Sequence, residues 1–441
     1  MNRDEIVELN KRYVWQPFTP MRDWLASEPI VIESARGAVL RDVDGREYLD
    51  GTSSMWVNVL GHGRAEITRA LVEQLDKVAH STMLGLASVP SALLAAKLVE
   101  IAPPRLKKTF FSDDGSTAME VALKLALQYW QFVEPKSERT TFISLEHGYH
   151  GDTVGAMSLG HVPEFSAAFA PVMFESVAIP APRGDDPAPF LDEADRVIER
   201  HAERACAVVM EPLIQMAGGF IVHPKAYLAG IAALCRKYSL LLILDEVATG
   251  FGRTGTMFAC EQEGVEPDIM ALGKGLTNGT MPLAATLVSD EIFDAFLGDA
   301  RSGSGRSERR VFFHGHSYTG NQLGCAAALA TLGIFERERV IENLQPKIHL
   351  MGELLDEFRG LARVSDVRQC GFVGVVELRG ASDAYSYTEP AGRRVCDAVR
   401  KDGVLLRPLG NIVYFMPPYC IADEQLTHLL RSTRRAVESL E

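Results

Sequence analysis

The strongest constraint on the fold is a series of short apolar runs between residues 105 and 290, which alternate with stretches of helical spacing. The runs CAVVMEPL and LLLILDEV are almost continuously apolar and end in carboxylates. Strands of a parallel sheet have this character because helices cover both faces of such a sheet. The alternation therefore predicts an α/β domain with a mostly parallel sheet. Ligands of such sheets bind at the carboxyl ends of the strands, so the polar residues after these runs are candidate site residues.

The segments outside this alternation predict a second, smaller unit. Residues 30–50 alternate apolar and polar side chains around a DG turn, which predicts a β-hairpin. Helical and strand-like segments near the end of the chain predict a small α+β domain. We therefore divide the chain into an N-terminal segment at 1–64 that joins the small domain, a large domain at 65–330 and the small domain at 331–441.

The Gly/Ser/Arg-rich residues 298–310 predict a flexible exposed loop, to which the sequence assigns no role.

Composition argues against several functional classes. The net charge of -13 disfavours nucleic acid as a partner, because phosphate binding requires a basic patch. The 7 cysteines show no CxxC spacing, so we expect reduced thiols and no metal site. No run approaches the ~18 apolar residues that a membrane helix needs, and the N-terminus lacks an apolar signal core. We expect a soluble, cytoplasmic protein without a membrane or nucleic-acid partner.

Two residues at predicted strand ends form the best candidate for a reactive centre. Asp245 follows the run LLLIL, although a helix cap or a surface turn would also explain an isolated Asp-Glu pair. Lys274 ends another apolar run between two glycines, which allow a ligand to approach the backbone closely. Partial desolvation would lower the lysine pKa and free its lone pair for Schiff-base chemistry. An acid at Asp245 would then keep the ring nitrogen of a pyridine cofactor protonated.

Two further segments are candidates for cofactor contacts. Gly115 and Ser116 begin a predicted helix, where backbone N–H groups can bind phosphate, although ordinary helix capping gives the same pattern. Tyr149 and His150 lie in a Gly-flanked turn. An aromatic side chain there could stack on a cofactor ring or belong to the core.

One motif argues for a different cofactor and is set aside. Residues 250–255 spell GxGxxG, but the segment TGTMFACEQEG that follows is a poor helix start. A dinucleotide site needs a helix there. We interpret the motif as a Gly-rich loop with Arg253 on a turn.

The segments FFSDDGSTAMEVALK, GYHGD, MEP, LLILDEVATGFGRTG, ALGKGL and HGHSYTGN, in this order, resemble the class III aminotransferases, a family of fold-type I pyridoxal-phosphate enzymes. The resemblance covers essentially the whole chain. It implies a pyridoxal 5′-phosphate cofactor, small-molecule substrates and a homodimer with shared active sites. The roles that it implies are phosphate binding by Gly115 and Ser116, ring stacking by Tyr149, pairing of Asp245 with the ring nitrogen, packing of Val247 on the opposite face, Schiff-base formation by Lys274, and contact of Ser317 with the phosphate in the neighbouring subunit.

A more specific likeness within the family is to the 7,8-diaminopelargonate synthases of biotin biosynthesis, which transfer an amino group to 8-amino-7-oxononanoate. The stretches WQPFT, SSMW, ALQYW and RPLGNIVYFMPPY support it. It implies that Arg407 binds the distal carboxylate of the substrate, and that Trp56 and Tyr149 line an apolar channel, with Phe18 near the amino-donor pocket. For Arg407 a surface salt bridge is the alternative.

The sequence departs from this subgroup near the amino-donor pocket. Phe18 stands where many members have tyrosine, Met55 where they have tryptophan, and His316-Ser317 where they have Pro-Thr. We therefore expect L-lysine, rather than S-adenosyl-L-methionine, as the amino donor.

Two alternative functions stay open at this point. The first is an ω-amino acid aminotransferase that uses pyruvate or 2-oxoglutarate. The second is a catalytically silent binding protein on the same fold, against which the intact Lys274 and Asp245 argue.

Overall fold

The computed structural model describes residues 2–301, 307–380 and 390–440. Within these ranges the α-helical elements are α1 (Arg3–Tyr13), α2 (Met21–Ala26), α3 (Ser53–Trp56), α4 (Ala65–Leu75), α5 (Val89–Ile101), α6 (Gly115–Val133), α7 (Val154–Ser158), α8 (Pro163–Ser166), α9 (Ala188–His201), α10 (Tyr227–Lys237), α11 (Asp290–Ala295), α12 (Gln322–Arg337), α13 (Val340–Asp356), α14 (Ala391–Val399) and α15 (Asp423–Glu438). Short 3-10 helices lie at Ala167–Val172, Ala259–Glu263, Lys274–Thr277 and Arg400–Asp402.

The strands of the same ranges are β1 (Ile32–Arg36), β2 (Val39–Asp42), β3 (Glu47–Asp50), β4 (Leu106–Ser112), β5 (Thr141–Leu145), β6 (Val177–Ile179), β7 (Ala205–Met210), β8 (Ile214–Gln215), β9 (Ile221–Val222), β10 (Leu241–Asp245), β11 (Ile269–Leu272), β12 (Ala284–Ser289), β13 (Asp299–Arg301), β14 (Ser307–Arg309), β15 (Val364–Cys370), β16 (Val373–Leu378), β17 (Val404–Leu405) and β18 (Ile412–Phe415).

The largest sheet has seven strands in the order β4-β12-β11-β10-β7-β5-β6. Strands β6, β5, β7, β10 and β11 are parallel to one another, whereas β12 runs antiparallel to both β11 and β4. All residues of β7, β10 and β11 are buried, as expected for a sheet covered on both faces. The prediction of an α/β fold with a mostly parallel sheet is confirmed.

Two smaller sheets bring the beginning and the end of the chain together. The hairpin predicted at 30–50 is present as β1, β2 and β3, and β17 adds to β3 in parallel. Strands β15, β16 and β18 form an antiparallel sheet, on which α13 and α14 pack. The β3–β17 pairing supports our proposal that residues 1–64 join the small domain, while the proposed boundary at 330 falls within α12.

The segment 298–310 differs from the prediction of a flexible loop at its two ends. Strands β13 and β14 pair antiparallel there, so their backbone groups are hydrogen-bonded. The guanidinium of Arg310 lies 4.6 Å from the ring centroid of Phe132 and donates to the Phe132 carbonyl. The polar composition of the segment gave no indication of this strand pairing or of the Arg310 contacts. The central residues 302–306 lie outside the described ranges.

Among the described helices, none combines the length and the apolar character that a membrane-crossing segment requires.

Candidate active site

The carboxyl ends of the central strands open into a cavity of 420 Å³. Its lining includes the predicted site residues Trp56, Gly115, Ser116, Tyr149, Asp245, Val247 and Lys274. Phe18, Ser317 and Arg407 lie outside the lining of this cavity. The topology thus brings together residues that are far apart in the chain, because adjacent parallel strands end at the same edge of the sheet.

Lys274 lies directly beyond β11 and reaches into the cavity. Its backbone is left-handed, with φ 43°, which is unusual for a residue with a side chain. Its Nζ lies 4.9 Å from the ring centroid of Trp56. Desolvation lowers the pKa of Lys274, and the negative charges of Asp245 and Glu211 oppose this only in part. A neutral amine, which can act as nucleophile or base, is therefore easier to form here than in water.

Asp245 is the last residue of β10, and its carboxylate is held by two N–H groups. Oδ2 lies 2.8 Å from His150 Nδ1, and Oδ1 accepts from the backbone N–H of Val247 at 3.1 Å. Burial is the largest influence on the pKa of His150 and would lower it, but the hydrogen bond to Asp245 and the negative charges of Asp245 and Glu211 together outweigh burial, so that this pKa is raised. The imidazole therefore keeps its proton and helps to hold Asp245 as an oriented anion at the cavity wall.

Glu211 is a second buried carboxylate of the cavity, and it had no role in the sequence-based prediction. It follows β7 and accepts from the backbone N–H groups of Met216 at 2.9 Å and Tyr149 at 3.3 Å. Burial raises its pKa to about 7. The signal that could have identified it is the run CAVVMEPL, which ends in this carboxylate just as LLLILDEV ends in Asp245.

The first turn of α6 lies at the cavity wall. Asp114 caps the helix and accepts from the N–H of Thr117 at 2.8 Å, while the N–H groups of Gly115 and Ser116 have no hydrogen-bond partner in the described part of the chain. A Cβ on Gly115 would lie 2.6 Å from Cγ1 of Val247, so only glycine fits between the helix and the strand end. Free N–H groups at a helix N-terminus attract phosphate.

Tyr149 belongs to an aromatic wall on one side of the cavity. Its ring meets that of Phe165 edge-on at 5.8 Å, and Phe165 meets Phe18 edge-on at 5.7 Å. Burial raises the pKa of the Tyr149 phenol, and the nearby Asp152 adds to this effect. The phenol therefore stays neutral. Phe18 is separated from Tyr149 by one ring and is half exposed.

Trp56 closes another side of the cavity and belongs to an unusual turn. The φ angles of Ser53, Ser54, Met55 and Trp56 are 49°, 46°, 69° and 73°, so α3 is a left-handed turn built without glycine. A left-handed conformation costs about 1–2 kcal/mol per such residue. The indole packs edge-on against Phe220 at 5.9 Å and Tyr414 at 6.1 Å. The sequence gives no sign of this turn because residues with side chains rarely adopt it.

Arg253 lies on a turn of the Gly-rich loop as predicted, but its side chain is buried, with only 1% exposure. Its guanidinium donates to the carbonyl of Pro417 at 3.1 Å and to Oγ of Ser53 at 3.2 Å, and it stacks on Tyr419 at 4.9 Å. These contacts tie the loop to the small sheets and to the turn that carries Trp56. No signal in the sequence distinguished this arginine from a solvated one.

Ser317 and Arg407 are both exposed. Arg407 makes no hydrogen bond or ion pair with the described residues. Ser317 follows His316, whose Nε2 lies 3.5 Å from Oδ1 of Asp113 at the rim of the cavity. The predicted roles of these two residues stay predictions.

Comparison with known proteins places this cavity in a family. The family model Aminotransferase class-III matches residues 23–437. A protein of Geobacter sulfurreducens named adenosylmethionine-8-amino-7-oxononanoate aminotransferase is 46% identical over 445 residues, with 98% of this chain and 97% of the relative covered. A protein of the same name from Methanocaldococcus jannaschii is 42% identical, with 100% of both chains covered.

Solved structures agree with the sequence relatives. The crystal structure of adenosylmethionine-8-amino-7-oxononanoate aminotransferase from Methanocaldococcus jannaschii has a TM-score of 0.93 at 43% identity, and covers 99% of each chain. An (S)-enantioselective omega-transaminase from Thermomicrobium roseum has a TM-score of 0.90 at 34% identity, and covers 99% of this chain and 98% of that one. The fold is therefore that of the fold-type I transaminases, and the chain belongs to the pyridoxal-phosphate-dependent class III aminotransferases.

Proposed function

We propose that this transaminase converts 8-amino-7-oxononanoate to 7,8-diaminononanoate, a step of biotin biosynthesis. The observation that carries the proposal is the full-length identity of 42–46% to relatives from several organisms that are named for this acceptor. The cavity supports it, because an apolar indole and an aromatic wall suit a long aliphatic chain.

The residues present fit pyridoxal phosphate. The free N–H groups at the start of α6 would hold the phosphate. Gly115, which lacks a Cβ, lets the helix start lie close to Val247. Asp245, a carboxylate already supported by two N–H groups, would pair with the ring nitrogen. Tyr149 and Val247 would contact the two faces of the ring, and Lys274 would bind the aldehyde carbon.

When bound, the cofactor supplies an electron-withdrawing ring that stabilises negative charge on the carbon that loses its proton. The chain supplies the remaining functions. Nζ of Lys274 would take the proton from the substrate carbon and deliver it to the cofactor carbon, since its lowered pKa allows the neutral form. The Trp56 indole lies against this amine, and the half-buried Tyr149 ring lines the same cavity.

The acceptor half of the reaction provides the direct test. We expect the pyridoxamine form of the purified protein to revert to the pyridoxal form when 8-amino-7-oxononanoate is added, as followed by absorbance. The matched controls are pyruvate and 2-oxoglutarate, the acceptors of an ω-amino acid aminotransferase. Reversion with pyruvate or 2-oxoglutarate, without reversion by 8-amino-7-oxononanoate, would reject the proposed substrate.

Arg407 offers a second test of the same substrate. Arg407→Ala should raise KM for 8-amino-7-oxononanoate roughly ten- to hundred-fold, because a hydrogen bond to a charged group contributes about 1.5–3 kcal/mol. The side chain is exposed and unpaired among the described residues, so a structural cost is not expected. Arg359→Ala, which removes an exposed arginine paired with Asp356, is the control and should leave KM unchanged. An equal KM increase for a carboxylate-free amine donor would contradict recognition of the acid.

We propose L-lysine as the amino donor. The wall formed by Phe18, Phe165 and Tyr149 carries no hydroxyl at position 18, and Met55 offers no indole face to an adenine ring. A slim diamino acid needs neither feature.

The names of the relatives point to S-adenosylmethionine instead, so both donors are to be offered separately to the pyridoxal form. We expect conversion by lysine. If S-adenosylmethionine rapidly converts the pyridoxal form to the pyridoxamine form and lysine does not, the donor assignment is contradicted. The proposed acceptor would not be affected by that result.

The proposed enzyme is a cytoplasmic homodimer with shared active sites. The segment 80–83 and the segment 318–322 are neighbours, since the His80 and Tyr318 rings lie 5.1 Å apart and Ser81 is hydrogen-bonded to Gln322. Large apolar side chains close to these segments are exposed in the single chain, among them Leu84, Leu86, Val89, Phe313 and Tyr318. A second copy on this surface would bury them and bring an exposed Ser317 to the partner's cavity.

A further inference from the structure

The left-handed turn that carries Trp56 is held by a buried carboxylate that has no part in the chemistry proposed above. Asp50 is the last residue of β3 and is 1% exposed. Its Oδ1 accepts from the backbone N–H groups of Ser54 at 2.9 Å and Thr52 at 3.2 Å. Its Oδ2 accepts from Oγ of Ser54 at 2.8 Å and lies 2.9 Å from Nε2 of His62. Both oxygens of this carboxylate thus interact with N–H or O–H groups of the turn or of one histidine.

The turn needs such support because its own backbone disfavours it. Four successive residues with side chains, Ser53 to Trp56, have φ between 46° and 73°. A free chain would leave this conformation for the right-handed or extended region. A strained segment persists only where its surroundings over-determine it. Besides Asp50, the hydroxyl of Ser53 supports the turn: its Oγ donates to the carbonyl of Met416 at 2.7 Å and accepts from Arg253.

The turn matters for the active site because of the two side chains it presents. Trp56 is turned inward, with its ring centroid 4.9 Å from Nζ of Lys274. Met55 precedes it and is 43% exposed. Relaxation of the turn to an ordinary backbone would move the indole away from the lysine. Asp50 itself does not line the cavity.

We propose that Asp50, with His62 as its hydrogen-bond donor, is a positioning residue of this aminotransferase: it locks the left-handed turn Ser53–Trp56 and so fixes the Trp56 indole beside Lys274. It touches neither substrate nor cofactor. His62 is itself anchored, because its backbone exchanges hydrogen bonds with Gly37 at 2.8 Å and 3.0 Å. The pair therefore links the N-terminal sheet to the cavity wall. This inference rests on the proposed function in one respect only, which is the choice of 8-amino-7-oxononanoate as the substrate for the KM measurement.

The test compares Asp50→Asn with Asp42→Asn. Asp42 is a matched control: it ends β2 of the same sheet, is 3% exposed, and accepts from the N–H groups of Asp44 and Arg46 and from the Tyr48 hydroxyl, but it lies outside the cavity lining. We expect Asp50→Asn to raise KM for 8-amino-7-oxononanoate roughly tenfold or more, since small displacements in a site have effects of this size. Asp42→Asn should lower the melting temperature and leave KM unchanged.

A second measurement needs no substrate. In the cofactor-free protein the emission of Trp56 is isolated as the difference between each variant and the same variant with Trp56→Phe. We expect Asp50→Asn to shift this emission to longer wavelength and to make it accessible to acrylamide, and Asp42→Asn to match the wild type. The emission measurement tests the role of Asp50 even if the wild-type protein does not accept 8-amino-7-oxononanoate. Such a rejection would overturn only the proposed function.

Two further variants separate positioning from a general loss of structure. Ser54→Gly in the Asp50→Asn background should return both KM and the Trp56 emission towards wild type, because glycine adopts a left-handed backbone without strain. His62→Gln, which retains an N–H donor, should perturb the site less than His62→Ala. Unchanged KM and emission in Asp50→Asn, equal changes in Asp42→Asn, or failure of Ser54→Gly to rescue would each overturn the inference.

Discussion

Replacement of Lys274 by alanine is expected to lower turnover with every substrate pair by about 10⁴-fold or more. Proton transfer by a positioned group contributes roughly 10²–10⁴-fold, and the variant also loses the amine that holds the cofactor. In the structure no other lysine lines the cavity, within the residues described. Stopped-flow absorbance on each half-reaction measures the loss. Lys237→Ala, which removes an exposed lysine paired with Asp195, is the control and should retain full activity.

The same residue can be identified without a variant. Borohydride reduction of the yellow holoenzyme should fix the cofactor on the peptide that contains Lys274, as read by mass spectrometry after digestion. The desolvated amine beside Trp56 is the reason for this selectivity. Label on another lysine, or retention of more than a small fraction of activity in Lys274→Ala, would contradict the assignment.

Asp245→Asn is expected to lower both half-reactions by roughly 10²–10³-fold, the range seen when one preorganised electrostatic contact is lost. A neutral amide cannot hold a proton on a ring nitrogen, so the electron sink is lost while the shape is kept. Since the amide oxygen can still accept from one of the two N–H groups that hold the carboxylate, folding and some cofactor binding should persist.

A half-buried aspartate at the other end of the strands provides the control for Asp245. Asp268 lies just before β11 at the opposite edge of the sheet, where it binds Arg105 at 2.6 Å and the N–H of Leu242 at 2.8 Å. Asp268→Asn should reduce stability and leave the half-reactions at wild-type rates. Near wild-type rates in Asp245→Asn, or equal losses in the two variants, would refute the role of Asp245.

The sequence was sufficient to predict the features that depend on a local pattern of residues. Buried parallel strands read as apolar runs, and their ends are marked by the first polar residue, so Asp245 and Lys274 could be located without a structure. The helix start at Gly115 was visible for a similar reason, since capping residues have strong positional preferences. These residues do lie together in one cavity.

The features that depend on contacts across the chain could not be predicted. The pairing of His150 with Asp245 joins the loop after β5 to the end of β10, and Arg253 is hydrogen-bonded to segments more than a hundred residues away in sequence. The left-handed turn at Trp56 contradicts the intrinsic preference of its residues, so local reasoning points away from it. One of its supports is the carbonyl of Met416, which accepts from Oγ of Ser53 and which only the folded chain places beside the turn.

The parallel pairing of β3 with β17 has a consequence for how the protein is made. Gly51 is hydrogen-bonded to Leu405 and Met416, and Ser53 donates to Met416 across a sequence separation of 363 residues. The N-terminal strands and the turn after them are therefore synthesised long before their partners, which leave the ribosome almost last. Contacts of such high sequence separation form slowly, and the unpaired strand edge is exposed to aggregation in the interval. A nascent chain stopped before residue 404 would lack β17, the strand that completes this sheet. It would nevertheless already contain β10, which ends in Asp245, and β11, which precedes Lys274.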